Sequence, residues 1–209
     1  MRYIKIIALT LLVLLSVSNL RAQDNEKGGI LKTDNGILIV WNEPNNNYTI
    51  EIKGNDIRPV PDQRLLFFVD GKFLQMKTVG KKDFLKKAQM KDLDDKAILT
   101  THRDWEAQYL GGVFKETLKI DSSWQKLANG MDALWWSFEM PTKDKGQAKK
   151  QVYLTISKGD HILLLNSAVT DKVDEKTAQQ FLLETMATLK INKKPLSLKK
   201  AQEQLLKEN

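Results

Sequence analysis

Short glycine-containing turns between apolar segments constrain the fold of this chain more than any other feature of its sequence. Asp70-Gly71, Asn129-Gly130 and Lys158-Gly159-Asp160 each separate two such segments. Turns this short join neighbouring antiparallel strands, because two parallel strands need a crossover of about a dozen or more residues. The sequence therefore predicts a sheet that is largely antiparallel.

The segments around these turns alternate between apolar and polar residues, which is typical of half-buried strands. In chain order the predicted strands are 48–52, 65–69, 73–79, 114–120, 134–140, 152–156 and 161–169. A period of three to four residues predicts two helices instead. The first begins near Asp92 and ends before Gly111-Gly112, and the second is capped by Asp174 and stopped before Pro195. Strands grouped in this way predict an α+β fold, with an antiparallel sheet of about six to seven strands and helices packed on it.

Several landmarks share the order found in a known superfamily. They are the helix ending at Gly111-Gly112, the strand Phe114–Ile120, the turn Asn129-Gly130-Met131-Asp132-Ala133, the hairpin of Val152–Ile156 with Ile162–Val169, and the closing helix with Phe181-Leu182 and Ala187-Thr188-Leu189. Over residues 47–191 this pattern resembles the PsbP-like superfamily of small α+β domains. The resemblance implies an α/β/α sandwich. It also implies exported, mostly non-catalytic accessory proteins that bind or help to assemble larger envelope or membrane complexes. The family offers no site motif that can be placed here, so no functional residue is carried over.

The first residues have the pattern of a secretory signal peptide. Arg2 and Lys5 precede an apolar segment of 12 residues, Ile6–Val17. A membrane-spanning helix needs roughly 20 apolar residues, so we expect no transmembrane helix in the mature protein. Cleavage is predicted after Ala22, with Ser18 as the alternative and an uncleaved N-terminal anchor as a third possibility. The expected location is the periplasm or the outside of a bacterial cell.

The predicted organisation is a signal peptide at 1–22, a flexible leader at 23–46, a single α+β domain at 47–191 and a Lys-rich tail at 192–209. The sequence contains no cysteine. A domain of about 150 residues buries enough surface to fold without disulfides, so this composition is compatible with export.

The formal net charge of +7 is concentrated at the two ends of the chain. Residues 190–209 hold six Lys and two Glu, whereas residues 23–189 hold 24 basic and 24 acidic residues. A nucleic-acid-binding domain is expected to carry a basic stripe with aromatic side chains, and none is seen, so nucleic acid is excluded as a partner. The basic tail is interpreted as solvated, with anionic lipid or an acidic partner as the alternative.

No catalytic, metal or cofactor motif is found, so no catalytic residue, metal ligand or cofactor is assigned. The only histidines are His102 and His161. A mixed site of these two with carboxylates stays open, although structural zinc needs four closely spaced ligands. The acidic residues Asp92, Asp94 and Asp95 are interpreted as the opening turn of a helix rather than a calcium loop.

One predicted sheet face combines aromatic and basic side chains. If the predicted strands are neighbours, Trp135, Tyr153, Lys115 and Lys119 point the same way. Such a face could hold a sugar, a lipid headgroup or a peptide. The alternative is that a helix covers the face and Trp135 is part of the core.

These observations predict an exported, non-enzymatic binding or accessory protein of the bacterial cell envelope, whose partner is an envelope protein or a small ligand. The alternative is a small secreted hydrolase that uses His102 or His161 as a general base.

Overall fold

The computed structural model describes residues 28–141 and 147–208. The predicted signal peptide, 1–22, and residues 142–146 lie outside the described residues. The strands are β1 (Gly28–Thr33), β2 (Gly36–Glu43), β3 (Asn46–Lys53), β4 (Ile57–Pro59), β5 (Leu66–Val69), β6 (Lys72–Gly80), β7 (Asp121–Lys126), β8 (Asp132–Glu139), β9 (Lys150–Lys158), β10 (His161–Val169) and β11 (Lys190–Asn192). The helices are α1 (Gln89–Asp92), α2 (Asp95–Phe114), α3 (Glu175–Ala187) and α4 (Leu198–Glu208).

The strands form two sheets in which every pairing is antiparallel. The larger sheet has seven strands in the order β4-β5-β6-β10-β9-β8-β7, and the smaller has four in the order β1-β2-β3-β11. Together with the helices, this architecture confirms the predicted α+β class. It also confirms the predicted antiparallel sheet of about six to seven strands.

The predicted tight turns connect these strands as expected. At the turn between β5 and β6, Asp70 and Gly71 both have positive φ, +47° and +79°. Two successive left-handed residues are the geometry of a type I′ turn, whose twist matches that of antiparallel strands. Gly130 and Gly159 also have positive φ, +83° and +52°, in the turns after β7 and β9.

Helix α2 covers one face of the seven-stranded sheet. The core beneath it contains Leu99 and Leu110 of the helix and Trp136, Phe138 and Tyr153 of the sheet. The rings of Trp136 and Tyr153, which are directly opposed on β8 and β9, stack at a centroid distance of 3.8 Å and an interplanar angle of 4°. This cross-strand aromatic pair fixes the register of β8 and β9.

Helix α3 and the four-stranded sheet cover the opposite face. Ile50 and Ile52 of β3, Leu154 of β9 and Leu182 of α3 belong to this second core, and each is completely buried. The central strands are therefore buried on both sides, which explains their nearly continuous apolar sequences.

Both helices α2 and α3 begin with an aspartate cap, as the sequence indicates. The side chains of Asp94 and Asp174 accept hydrogen bonds from the backbone N–H groups of Ala97 and Thr177, both at 2.7 Å. Each carboxylate satisfies a donor that lacks a partner within the helix.

The predicted strand 114–120 and the predicted end of the first helix are wrong. Helix α2 continues through Gly111-Gly112 to Phe114, and it ends at Lys115 with a left-handed φ of +58°. Phe114 is one helical turn after Leu110 and packs 6.1 Å from Phe138, between ring centroids. Burial of this ring offsets the roughly 1 kcal/mol that each glycine costs within a helix.

The segments flanking the predicted domain are more regular than expected. Strands β1 and β2 lie within 28–43, where the sequence predicts a flexible leader. Ile39 and Trp41 of β2 are buried in the core. The Lys-rich tail contains helix α4. Of the helices that the structure describes, none is both long and apolar enough to cross a bilayer.

The stacked pair of Trp136 and Tyr153 is expected to carry a large share of the stability. Trp136→Ala should lower the free energy of unfolding by about 3–5 kcal/mol, because it removes a fully buried indole and leaves a cavity. Denaturant unfolding measures this change. Trp124→Ala, at an exposed position, is the control and should cost less than about 1 kcal/mol. Equal losses in the two variants would contradict the role assigned to the stack.

Candidate functional site

The predicted aromatic and basic face does not exist in the structure. Tyr153 lies directly opposite Trp136, and Trp135 lies opposite Leu154. Opposed residues on antiparallel strands share a face, so Trp135 and Tyr153 point to opposite sides of the sheet. Both are buried, Trp135 in the core with α3 and Tyr153 in the core under α2.

The two lysines assigned to that face are not on a strand at all. Lys115 is the residue that ends α2, and Lys119 lies in the irregular connection to β7. Both are exposed. The expectation that these four residues form one site was therefore wrong, because it depended on the incorrect strand 114–120 and on a strand register one residue away from the real one.

His102 lies inside the protein, on the side of α2 that faces the sheet. Its exposed fraction is 0%, and neither ring nitrogen has a hydrogen-bond partner among the described residues. The rings of Phe84 and Trp105 lie 5.2 and 6.0 Å from its ring, between centroids. Burial lowers the pKa of His102 to about 4, with a smaller contribution from the charge of Lys77. A histidine enclosed in this way has no path to a substrate.

Glu106, one turn further along α2, is a second buried titratable group. Its exposed fraction is 3%, and its nearest described cation is Lys77 Nζ at 3.9 Å. Burial raises the pKa of Glu106, and Lys77 partly opposes that shift. The face of α2 against the sheet therefore carries two groups whose charged forms are disfavoured.

His161, Ser122 and Ser123 do not combine into a reactive group among the described residues. His161 opens β10, opposite Lys158, and is half-buried. The hydroxyls of Ser122 and Ser123 lie on β7, where they accept hydrogen bonds from Arg103 Nη1 and Gln125 Nε2, both at 2.9 Å. In the part of the chain that the structure covers, no three His, Asp or Glu side chains cluster as metal ligands.

A cleft of about 300 Å³ opens where the first turn of α2 meets the turns after β7 and β9. We call it the Trp124 cleft. Leu99 and Ile156, both buried, form its apolar floor, and Trp124 stands at its wall. Polar groups of Asp95, Lys96, Asp132, Ser157 and Lys158 surround them. An apolar floor with a few polar groups around it is typical of small-molecule sites.

Trp124 is a large aromatic residue that is partly exposed on an edge strand. It lies on β7, the edge strand of the larger sheet, and 40% of it is exposed. The Lys96 ammonium lies 5.2 Å from the centroid of the indole ring, in a cation–π arrangement. An exposed indole beside a cation can hold a planar or ring-shaped group by stacking.

The carboxylates of the cleft are neutralised, whereas its lysines are not. Asp95 accepts a hydrogen bond from the Ser157 hydroxyl and pairs with Lys81 Nζ at 3.5 Å. Asp132 pairs with Lys126 Nζ at 3.1 Å. Within the described residues, neither Lys96 nor Lys158 has a carboxylate at ion-pair distance. The cleft therefore has an excess of positive charge, which favours an anionic ligand.

Sequence reasoning missed Trp124, although a signal was present. Its strand, Asp121–Lys126, has the sequence DSSWQK, in which the tryptophan is the single apolar residue. A large aromatic in a strand with no apolar partner cannot belong to an amphipathic buried face. That pattern indicates an exposed tryptophan.

The comparisons with known proteins concern the fold. No protein-family profile matches the sequence, and no curated protein matches it. The structure is similar to the solution structure of cyanobacterial PsbP (CyanoP) from Synechocystis sp. PCC 6803, with a TM-score of 0.48 and 6% sequence identity. The match covers 85% of this chain and 99% of that one. This similarity is one of fold alone, and it says nothing of the ligand or partner.

Burial of His102 should make the protein sensitive to acid. Below pH 6.5 the unfolded chain takes up a proton that the folded protein does not accept until about pH 4, so stability is lost as the pH falls through this window. The full loss is about 3 kcal/mol. Urea unfolding of the wild type and His102→Phe from pH 7.5 to 4.5 measures it, and the variant should lack this part of the pH dependence.

The titration of Glu106 changes the stability of the protein with pH in the opposite direction to that of His102. Because its folded-state pKa is raised, its contribution to stability is lost as the pH increases above 4.5. The wild type and His102→Phe both contain Glu106, so the difference between their free energies of unfolding at each pH gives the contribution of His102 alone. Tyr109→Phe, at an exposed position of the same helix, is the control and should keep the wild-type profile. Parallel profiles for His102→Phe and the wild type would contradict the assignment.

Proposed function

We propose that this protein is an exported, non-enzymatic binding or accessory protein of the bacterial cell envelope, and that it holds its ligand in the Trp124 cleft. The observation that carries the proposal is the exposed indole of Trp124 at the wall of a cleft with an apolar floor. The N-terminal pattern of Arg2, Lys5 and the apolar segment Ile6–Val17 supports export.

The ligand that fits this cleft combines a ring with a negative charge. The ring stacks on the indole of Trp124, and the negative group is attracted by Lys96 and Lys158, whose charges are not neutralised by described carboxylates. The Ser157 hydroxyl and the carboxylates of Asp95 and Asp132 are available to accept or share hydrogen bonds from hydroxyl groups of the ligand. An acidic saccharide meets all of these conditions.

Binding should depend on Trp124. We expect tetragalacturonate to bind the mature protein with a Kd that rises about tenfold or more in Trp124→Ala, a loss of about 1.4 kcal/mol or more. Isothermal titration calorimetry measures Kd, and the indole N–H signal of Trp124 reports contact by NMR. Tyr109→Ala is the matched control, because Tyr109 is exposed to 42%, close to the 40% of Trp124, and does not line the cleft.

A second comparison tests the charge of the ligand. Lys158→Gln should weaken tetragalacturonate and leave any binding of the neutral cellotetraose unchanged, because only the former is attracted by the ammonium. Hexaglutamate tests for an acidic peptide in place of the saccharide. If none of the three probes binds in a way that depends on Trp124, the assignment of the cleft as the ligand site is wrong.

Export has a separate test. When the full chain is expressed in a bacterium, the protein in the periplasmic or extracellular fraction should begin at Gln23, because cleavage is expected after Ala22. N-terminal sequencing and intact mass measure this. Replacing Leu11 and Leu12 by Arg interrupts the apolar segment and should retain the chain in the cytosol. A wild-type chain that stays cytosolic with residues 1–22 attached would refute export.

A further inference from the structure

The C-terminal segment presents a concentration of positive charge. Residues 190–200 contain five lysines and no Asp or Glu. We call Lys193, Lys194, Lys199 and Lys200 the basic surface. All four are exposed, and none of them pairs with a carboxylate in the described ranges. Over residues 23–189 the basic and acidic residues cancel, so this surface is the main source of net charge in the mature chain.

The segment that carries the basic surface is fixed to the fold. Strand β11, which ends one residue before Lys193, pairs with β3. The side chain of the buried Asn42 then makes two hydrogen bonds with the backbone of Leu196, in which Nδ2 donates to the carbonyl at 2.9 Å and Oδ1 accepts from the N–H at 3.0 Å. Lys193 and Lys194, which lie between β11 and Leu196, are therefore held on a loop that is fixed at both ends.

Helix α4 is also docked. Ala201 has an exposed fraction of 1%. The Leu198 side chain lies so close to Gly29 of β1 that a Cβ at that position would be 2.9 Å from Leu198 Cδ1. Leu198 and Ala201, three residues apart, share the helix face that meets the small sheet.

The lysines point away from that contact. Successive residues are rotated by about 100° around a helix, so Lys199 lies about 200° from Ala201. Lys194 and Lys199 are five residues apart, which limits their Cα separation to about 18 Å. The four exposed lysines therefore lie within one short segment, whose contact with the fold is made by the apolar side chains of Leu198 and Ala201.

We propose that the basic surface attaches the protein to an anionic phospholipid bilayer. A lysine held near such a bilayer contributes about a fivefold gain in affinity. The attraction needs no conformational change, because the segment is already ordered and its charges are not neutralised within the described structure. The proposal does not depend on the Trp124 cleft, since the two sites share no residue.

Co-sedimentation of the mature chain with large unilamellar vesicles tests this. Vesicles of 40% phosphatidylglycerol and 60% phosphatidylcholine should retain the protein at 50 mM salt, and pure phosphatidylcholine should not. Retention should fall steeply at 500 mM salt, where the screening length is only about 4 Å. The quadruple variant K193Q/K194Q/K199Q/K200Q should lose affinity about tenfold or more.

The chain offers a control with the same change of charge. Lys82, Lys86, Lys87 and Lys91 are also exposed, but Asp83, Asp92 and Asp94 lie close to them in sequence. The variant K82Q/K86Q/K87Q/K91Q should keep at least half of the wild-type affinity. Circular dichroism checks that both variants are folded, and Trp124→Ala should bind vesicles as the wild type does.

Three results would overturn the proposal. One is failure of the wild type to bind the anionic vesicles. Another is an equal loss in the two quadruple variants, which would indicate a response to net charge alone. The third is binding to polyglutamate but not to the vesicles, since the surface would then be a site for an acidic protein.

Discussion

The register between β8 and β9 is the constraint on which the rest of the structure depends. The stacked pair of Trp136 and Tyr153 sets that register. A shift by one residue would exchange the contents of both cores, because the central sheet is buried on both faces. Helix α2, on one side, and helix α3 with the four-stranded sheet, on the other, can each bury their apolar faces only if these strands pair as they do.

Much of the fold could be predicted from local sequence, since turns and caps are determined by a few neighbouring residues. The turn at Asp70-Gly71 and the cap at Asp174 are examples in which backbone geometry and side-chain chemistry agree. The prediction failed at Gly111-Gly112, where burial of Phe114 extends the helix against local propensity. It also failed for the chain before residue 47, where β1 and β2 pair with their neighbours in sequence but Ile39 and Trp41 are buried by residues far away in sequence.

The predicted site failed for a related reason. Placing Trp135 and Tyr153 on one face required the pairing register of two strands, and single-strand alternation does not contain that information. The sequence DSSWQK indicates that Trp124 is exposed, but only the strand order shows that β7 is an edge strand. Its surroundings come from three separate parts of the chain, the start of α2 and the turns after β7 and β9, which no local pattern brings together.

The pairing of β11 with β3 has a consequence for the order in which the molecule can form. Ile191 lies opposite Tyr48, so the contact joins residues from the two ends of the described chain. Contacts between such distant segments close large loops and are formed slowly. A chain that emerges N-terminus first, from a ribosome or through a translocation channel, leaves the small sheet one strand short until residues 190–192 have also emerged. The small sheet is therefore completed only after every strand of the larger sheet has emerged.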